Sequence, residues 1–538
     1  MRTSIPFILA LATACGTGPQ EDLSAGDLRR SGTVRFPVTC APEVAEDFQT
    51  ATALLHSFFY EEARRRYLDI AQRDPNCAMA WWGVAMTWYH PLWAPPTPDE
   101  MAKGAEAVAK AKKIGGKTDR ERGFIDAIDA FFNTEEKPAP AEVVAQSCHG
   151  PRAFSARAVC FRQGLEKMRT RFPNDLEVEA FYALSLVGTA PPTDKLYQKQ
   201  LEATAILEPL YVKHPDHPGV AHYIIHAYDY PTLASRGLSA ARRYADIAPW
   251  VPHALHMPSH IYTRLGLWKD SIQSNQASAV AARNYGRMRY GGAATMDELH
   301  AMDYLVFAYL QTGQEPLAKE IVDQVEKIAR FNEENFAAAY AVGAIPARWT
   351  LERRKWAEAA DLKIWHAELL RRFPFAESHI QFARAVGGAR SGRPEVARQA
   401  VARMEQLKEG LKDPKFQWWV NQVEIQRLAA SGWLARAEGK DADAESLLRS
   451  SADLEDQSGT HPVTPGQILP AREQLGDLLL ELRRPADALA EYERSLKAFP
   501  RRLNSHLGAG RAAEQAGRGD VAKQHYAQAV EMAGARAR

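Results

Sequence analysis

The chain has 538 residues, is 46% hydrophobic and 25% charged, and carries a formal net charge of +1. Those figures exclude a disordered or membrane-embedded chain, and the length exceeds one compact core, so several domains or one extended array is expected. The near-neutral balance excludes a nucleic-acid binder that works through a large basic excess, and Arg64-Arg65-Arg66, beside Glu61 and Glu62, reads as a solvated helix face.

The N-terminus reads as an export signal over residues 1–14: Arg2, an apolar run from Ile5 to Leu11, then the small residues Ala12-Thr13-Ala14. Cys15 directly after it resembles the lipobox of bacterial lipoproteins, which implies acylation of that thiol, although Leu11 stands one place farther from the cysteine than in that pattern. The alternative is an ordinary cleaved signal with Cys15 incidental. The expected location is exported and lipid-anchored, facing the periplasm or cell exterior. No other segment approaches the ~18 uninterrupted apolar residues of a span, so the lipid is the only membrane contact expected.

Export leaves Cys40, Cys77, Cys148 and Cys160 in an oxidising compartment, where three pairings are possible. Cys40–Cys77 and Cys148–Cys160 are favoured. The first two cysteines open or precede helices one repeat apart, and the second two flank the loop-like segment His149 to Val159. No CxxC spacing supports a thiolate metal site.

After a linker over 15–40, helix-period apolar positions run to the end and strand signals are scarce. Residues 41–205 form a first block of repeats, in which Ala63, Tyr67 and Pro75 precede Ala80-Trp81-Trp82-Gly83. A central histidine-rich block spans 206–330, with Gly266-Leu267-Trp268 and Gly313 with Ala318. Residues 331–455 are diverged helical repeats containing Trp356 and Ala359. The last block, 456–538, carries the clearest register: Gly476, Ala488 and Tyr492 recur as Gly510, Ala522 and Tyr526, each 34 residues on. Small residues let paired helices approach, the aromatic fills the space between units, and Pro500 stops a helix. Thirty-four residues is the tetratricopeptide period, so the expected fold is all-α, an α-solenoid of tetratricopeptide-like helix–turn–helix repeats.

More specific strings are Ala80-Trp81-Trp82-Gly83-Val84-Ala85-Met86, Tyr89-His90-Pro91-Leu92-Trp93, His217-Pro218-Gly219-Val220-Ala221-His222-Tyr223, Pro252-His253-Ala254-Leu255-His256-Met257-Pro258-Ser259-His260 and Pro462-Val463-Thr464-Pro465-Gly466. With them the chain from about Val34 onward resembles a family of exported bacterial tetratricopeptide proteins of uncharacterised function. The resemblance implies fold and export and brings no reaction.

Within those strings one pattern is written twice: His222 and His226 recur as His256 and His260, 34 residues on. Residues four apart share a helical face. In tetratricopeptide arrays, as that geometry implies, the first helix of each unit lines a concave groove. The register places His222, His226 and Asp229, then His253, His256 and His260, then His300 and Asp303 on that wall; it also turns Trp82 and Tyr89 of an earlier unit to the groove, whereas aromatics at their helical spacing read mostly as inter-repeat core. His222, His226, His256 and His260 are the candidate metal ligands, carboxylates assist, and the ion is zinc or copper. His214, His217, His90, His366, His379, His461 and His506 read as loop or packing residues.

Gly116-Lys117-Thr118 lacks the first glycine of a phosphate loop, Glu298-Leu299-His300 is half of a zinc-protease motif, and no GxSxG elbow occurs. The leading expectation is therefore a non-enzymatic groove that binds a ligand or a protein or peptide partner. The alternative is a metal carrier or metal-dependent enzyme with Asp229 or Asp303 as base. A third reading is a scaffold whose groove is filled by its own chain.

Overall fold

The computed structural model describes residues 30–534, except 93–94, 134–145, 148–149, 152–155, 192–193, 413–416, 460 and 462. The export signal, Cys15, Cys148, Trp93 and Pro462 lie outside the described residues. From Ala45 onward helix follows helix, each packed on its chain neighbours, and the protein is an α-solenoid of tetratricopeptide-like helix pairs. Prolines open many of them, among them Pro218, Pro252, Pro374, Pro394 and Pro485, where the missing N–H would have no partner in any case. Gln146–Ser147 and Gly150–Pro151 pair antiparallel as a two-residue ladder. Among the described residues no helix is long and apolar enough to cross a membrane.

The repeat grammar has a direct physical basis. A Cβ on Gly476 would stand 2.9 Å from the Tyr492 ring, and one on Gly510 would stand 2.5 Å from Tyr526. Gly83 faces Tyr67 in the same way, at 2.4 Å. In each unit an aromatic of one helix occupies the space that a missing side chain leaves on the other.

Two large apolar cores result, one spanning Val34 to Tyr285 and the other Ala279 to Ala522. They meet on the 23-residue helix Trp268–Tyr290, inside the block expected over 206–330. Two irregular segments are packed into these cores. Phe36, fully buried, lies against Phe48, Trp82 and Phe124, so the expected 15–40 linker is structure from Ser31 onward. On the other side Arg348 donates to Thr464 Oγ1 (3.0 Å) and to the carbonyls of Gly466 (2.8 Å) and Gln467 (2.9 Å), drawing the 463–470 segment inward. The C-terminal repeats close onto the middle of the chain through Arg502, which is buried between Glu352 (2.7 Å) and Glu473 (2.6 Å).

Cys40 and Cys77 are joined in a disulfide. Of the second expected pair, Cys160 is a half-buried free thiol and Cys148 lies outside the described residues.

Candidate metal centre

Three helices carry the histidine pattern: Pro218–Tyr228, the stretch split into Pro252–His256 and Pro258–Arg264, and Met296–Gln311. The rings converge as two triads, not as one four-imidazole site. His222 and His226 join His253, and His256 and His260 join His300, with the ligand atoms of each triad within 4.8 Å of one another. Each triad is an i, i+4 pair plus one ring from the next inner helix. The single four-histidine set expected from the register is thereby corrected. His253, three residues before His256 on the same inner stretch, is the ring that meets His222, and His256 and His260 are completed from the other side by His300. The triads are neighbours, with the His253 and His256 ring centroids 6.5 Å apart.

The second triad fixes its own proton positions. Asn275 Nδ2 donates to the Ser271 carbonyl (2.8 Å), so its Oδ1 is the acceptor for His256 Nδ1–H at 2.6 Å. His260 Nδ1–H donates to Asp229 Oδ2 at 2.8 Å, and Arg264 Nε donates to Asp229 Oδ1 at 2.9 Å. Burial alone would raise the Asp229 pKa, but the charges of Arg264 and His260 hold it below the usual carboxylate range. With Nδ1 of each ring engaged in this way, His256 Nε2 and His260 Nε2 face one another 2.9 Å apart, and a cation between them, a proton or a metal ion, holds the pair. Two facing lone pairs repel unless a cation lies between them. A metal ion draws on three lone pairs at once. Bonds of ~2.0–2.1 Å at tetrahedral angles put ligand nitrogens about 3.3 Å apart, close to what the rings adopt.

In the first triad His222 Nδ1–H donates to the His56 carbonyl at 2.7 Å, so its Nε2 also offers a lone pair. That atom lies 2.9 Å from His226 Nε2 and 3.1 Å from His253 Nε2. Burial lowers the His222 pKa to about 3, which keeps the ring neutral and ready to ligate. All six rings are at most 5% exposed. Phe58, in the left-handed region at φ 55°, sets its ring 4.3 Å from His222 and 5.4 Å from His226. Tyr304 lies 4.8 Å from His256 and 5.2 Å from His260 and His300.

A third cluster provides a contrast. Val220 N–H donates to His217 Nδ1 (3.2 Å), so His217 donates through Nε2 to Glu177 Oε1 (3.0 Å). His56 Nε2 reaches Glu177 Oε2 and its Nδ1 meets the Tyr223 hydroxyl, both at 2.8 Å. Every donor finds an acceptor here, so the cluster closes without a metal. Burial by itself would raise the Glu177 pKa, and the two histidines bring it well below the usual range. The role of this cluster is positional: it fixes the residue whose carbonyl orients His222.

Several expected groove residues need correcting. The eight on the inner helices, His222, His226, Asp229, His253, His256, His260, His300 and Asp303, are buried, not solvent-facing, because further chain packs over the helices that bear them. Trp82 and Tyr89 are core: Trp82 contacts Phe36, Phe124 and Phe181, and Tyr89 lies 3.9 Å from Phe131. Asp303 belongs to neither triad, and its Oδ1 takes Arg348 Nε at 2.8 Å. His217, expected in a loop, caps its helix and is 1% exposed. His56, Phe58, Asn275, Arg264 and Tyr304 are missed by the sequence pattern. Only Arg264 and Tyr304 had a usable signal, each standing four residues after a triad histidine.

Among family models and curated proteins nothing matches this chain. Solved structures with some similarity include the anaphase-promoting complex hetero-tetramer Cut9–Hcn1, at 10% identity and TM-score 0.33, covering 90% of this chain and 78% of that one. Another is the human IFIT1 dimer with PPP-AAAA, at 12% identity and TM-score 0.37, covering 94% and 93%. A third is Naa15/Naa10 bound to HypK-THB, at 15% identity and TM-score 0.26, covering 91% and 78%. At such scores the fold assignment rests on the helix pairs of this chain. The class they define is a helical-repeat solenoid with two buried tri-histidine clusters in its interior.

Proposed function

We propose that this protein binds two transition-metal ions, one in each histidine triad, as an exported metalloprotein. The convergence of three buried histidine nitrogens to within 4.8 Å of one another, twice over, carries the reading. Three imidazole ligands suit copper or zinc, and three protein ligands leave a coordination position for an exogenous molecule. With Phe58 and Tyr304 against the rings, that molecule is small. Paired open positions suit a metal-dependent enzyme better than a store. Export to an oxidising compartment draws support from the Cys40–Cys77 bridge.

The test is metal analysis of the full chain after loading with copper or zinc and desalting. Two ions per chain are expected, falling to one in His222→Ala or His256→Ala and to none in the double variant. His379→Ala, outside both triads, should keep two. Substoichiometric metal in the parent, or two ions retained by the double variant, would overturn the proposal.

A further inference from the structure

A cavity of about 470 Å³ lies away from the histidines, walled by the end of Leu176–Gly188, residues 190–191 and 194–200, residues 230–232 and the ends of Asp441–Ser458 and Pro485–Ala498. Its volume is within the range of small-molecule sites. The polar groups on its wall divide sharply into those already engaged and those left over.

The carboxylates are engaged. Asp456 takes Arg472 at 2.7 Å, and Asp194 caps the start of the next helix through Leu196 N (2.9 Å) and Gln198 N (2.7 Å). Glu455 accepts Ala471 N at 3.1 Å, and burial pushes its pKa up to about 8, so at neutral pH it is mainly an uncharged acid. Arg494 is held by Glu491 at 3.1 Å. Lys195 and Lys497 remain, with no carboxylate partner among the described residues. Gln200, 4% exposed, donates through Nε2 to the Tyr230 hydroxyl (3.0 Å) and leaves its Oε1 buried without a donor. The Ser458 hydroxyl is likewise buried without a partner. A buried amide oxygen without a donor is destabilising unless a ligand supplies one. The apolar part of the wall is aromatic: Tyr197 and Tyr230 have ring centroids 4.4 Å apart, and Phe499 joins them.

We infer that this cavity is a binding site for a small aromatic amino acid or related α-amino carboxylate. Lys195 and Lys497 take the carboxylate, Gln200 Oε1 accepts from the ligand's amino N–H, and Tyr197, Tyr230 and Phe499 pack on its ring. The lysine ammonium groups answer the ligand's carboxylate, and Gln200 Oε1 gives its α-ammonium an acceptor that a bare carboxylic acid would leave unused. The site stands on groups separate from the triads, so it does not depend on metal binding.

The test is isothermal titration of the full chain, stripped of metal, with L-phenylalanine, phenylalaninamide and 3-phenylpropionate as probes. Saturable binding of phenylalanine is expected, with phenylalaninamide at least tenfold weaker and 3-phenylpropionate intermediate. Lys195→Ala with Lys497→Ala should weaken phenylalanine at least tenfold and leave it nearly equal to phenylalaninamide, with 3-phenylpropionate the weakest of the three. Gln200→Leu should remove the advantage of phenylalanine over 3-phenylpropionate. Both lysines are exposed, so the double variant should fold as the parent does, checked by its melting temperature. No saturable binding of phenylalanine at millimolar concentration, or equal affinity in parent and lysine variant, would overturn the inference.

Discussion

Asp229→Asn separates what the second triad needs for stability from what it needs for metal. One oxygen of Asp229 takes Arg264 Nε at 2.9 Å and the other takes His260 Nδ1–H at 2.8 Å, and both residues are nearly inaccessible to solvent. The amide preserves shape but removes the charge, which leaves the Arg264 guanidinium buried without a counter-ion. Breaking one side of a buried pair costs about 3–5 kcal/mol, which urea denaturation of the metal-free protein measures. His260 also loses the anionic acceptor that sets its tautomer, and loss of such a partner weakens a metal site about 10–100-fold. The first triad should hold its affinity within about twofold, because His222 is oriented by the His56 carbonyl and not by Asp229. A competitive titration against a chromophoric chelator resolves the two sites. Asp229→Leu with Arg264→Met, which removes both charges, should recover most of the stability but none of the lost affinity. Equal weakening of both sites, or parental stability in Asp229→Asn, would refute this account of the triad.

Acid should unfold the metal-free protein through its buried rings. Burial holds His222, His379 and His461 to about 3 and His256 well below 6.5, so the unfolded chain takes up protons first as pH falls. Stability should be level above about pH 6.5 and drop below it, by about 1.4 kcal/mol per such ring at pH 5.5; a urea midpoint independent of pH between 7.5 and 5.5 would contradict this. Opening the Cys40–Cys77 bridge, whose cysteines are 37 residues apart, should cost about 4 kcal/mol of loop entropy, read as the difference between oxidised and reduced urea curves. Gly343→Ala places a Cβ 2.2 Å from the Ala376 carbonyl oxygen, which is backbone and does not yield easily; a loss of about 1–3 kcal/mol is expected by thermal melting, whereas Gly519→Ala, in open space, should hold or raise the melting temperature.

The sequence by itself determined the helices, their pairing and the face on which the histidines lie. Those are local facts: a 34-residue period places Gly476 and Gly510 against Tyr492 and Tyr526, and a four-residue spacing sets His222 beside His226 and His256 beside His260. What only the tertiary structure decided is how the rings divide and what surrounds them. The spacing between neighbouring inner helices is not a sequence period, and it splits four repeat-equivalent histidines into two triads completed by His253 and His300. The long Trp268–Tyr290 helix brings Asn275 to His256, 19 residues on, and His56 meets His222 across 166 residues. Burial followed the same logic. A repeat register expects an open wall, but the 31–40 and 463–470 segments have no periodicity, and their packing depends on contacts such as Arg348 with Gly466, 118 residues apart. Helical periodicity is a near-neighbour property that one sequence displays. Tautomers, metal geometry and solvent access belong to groups that meet only when the superhelix closes.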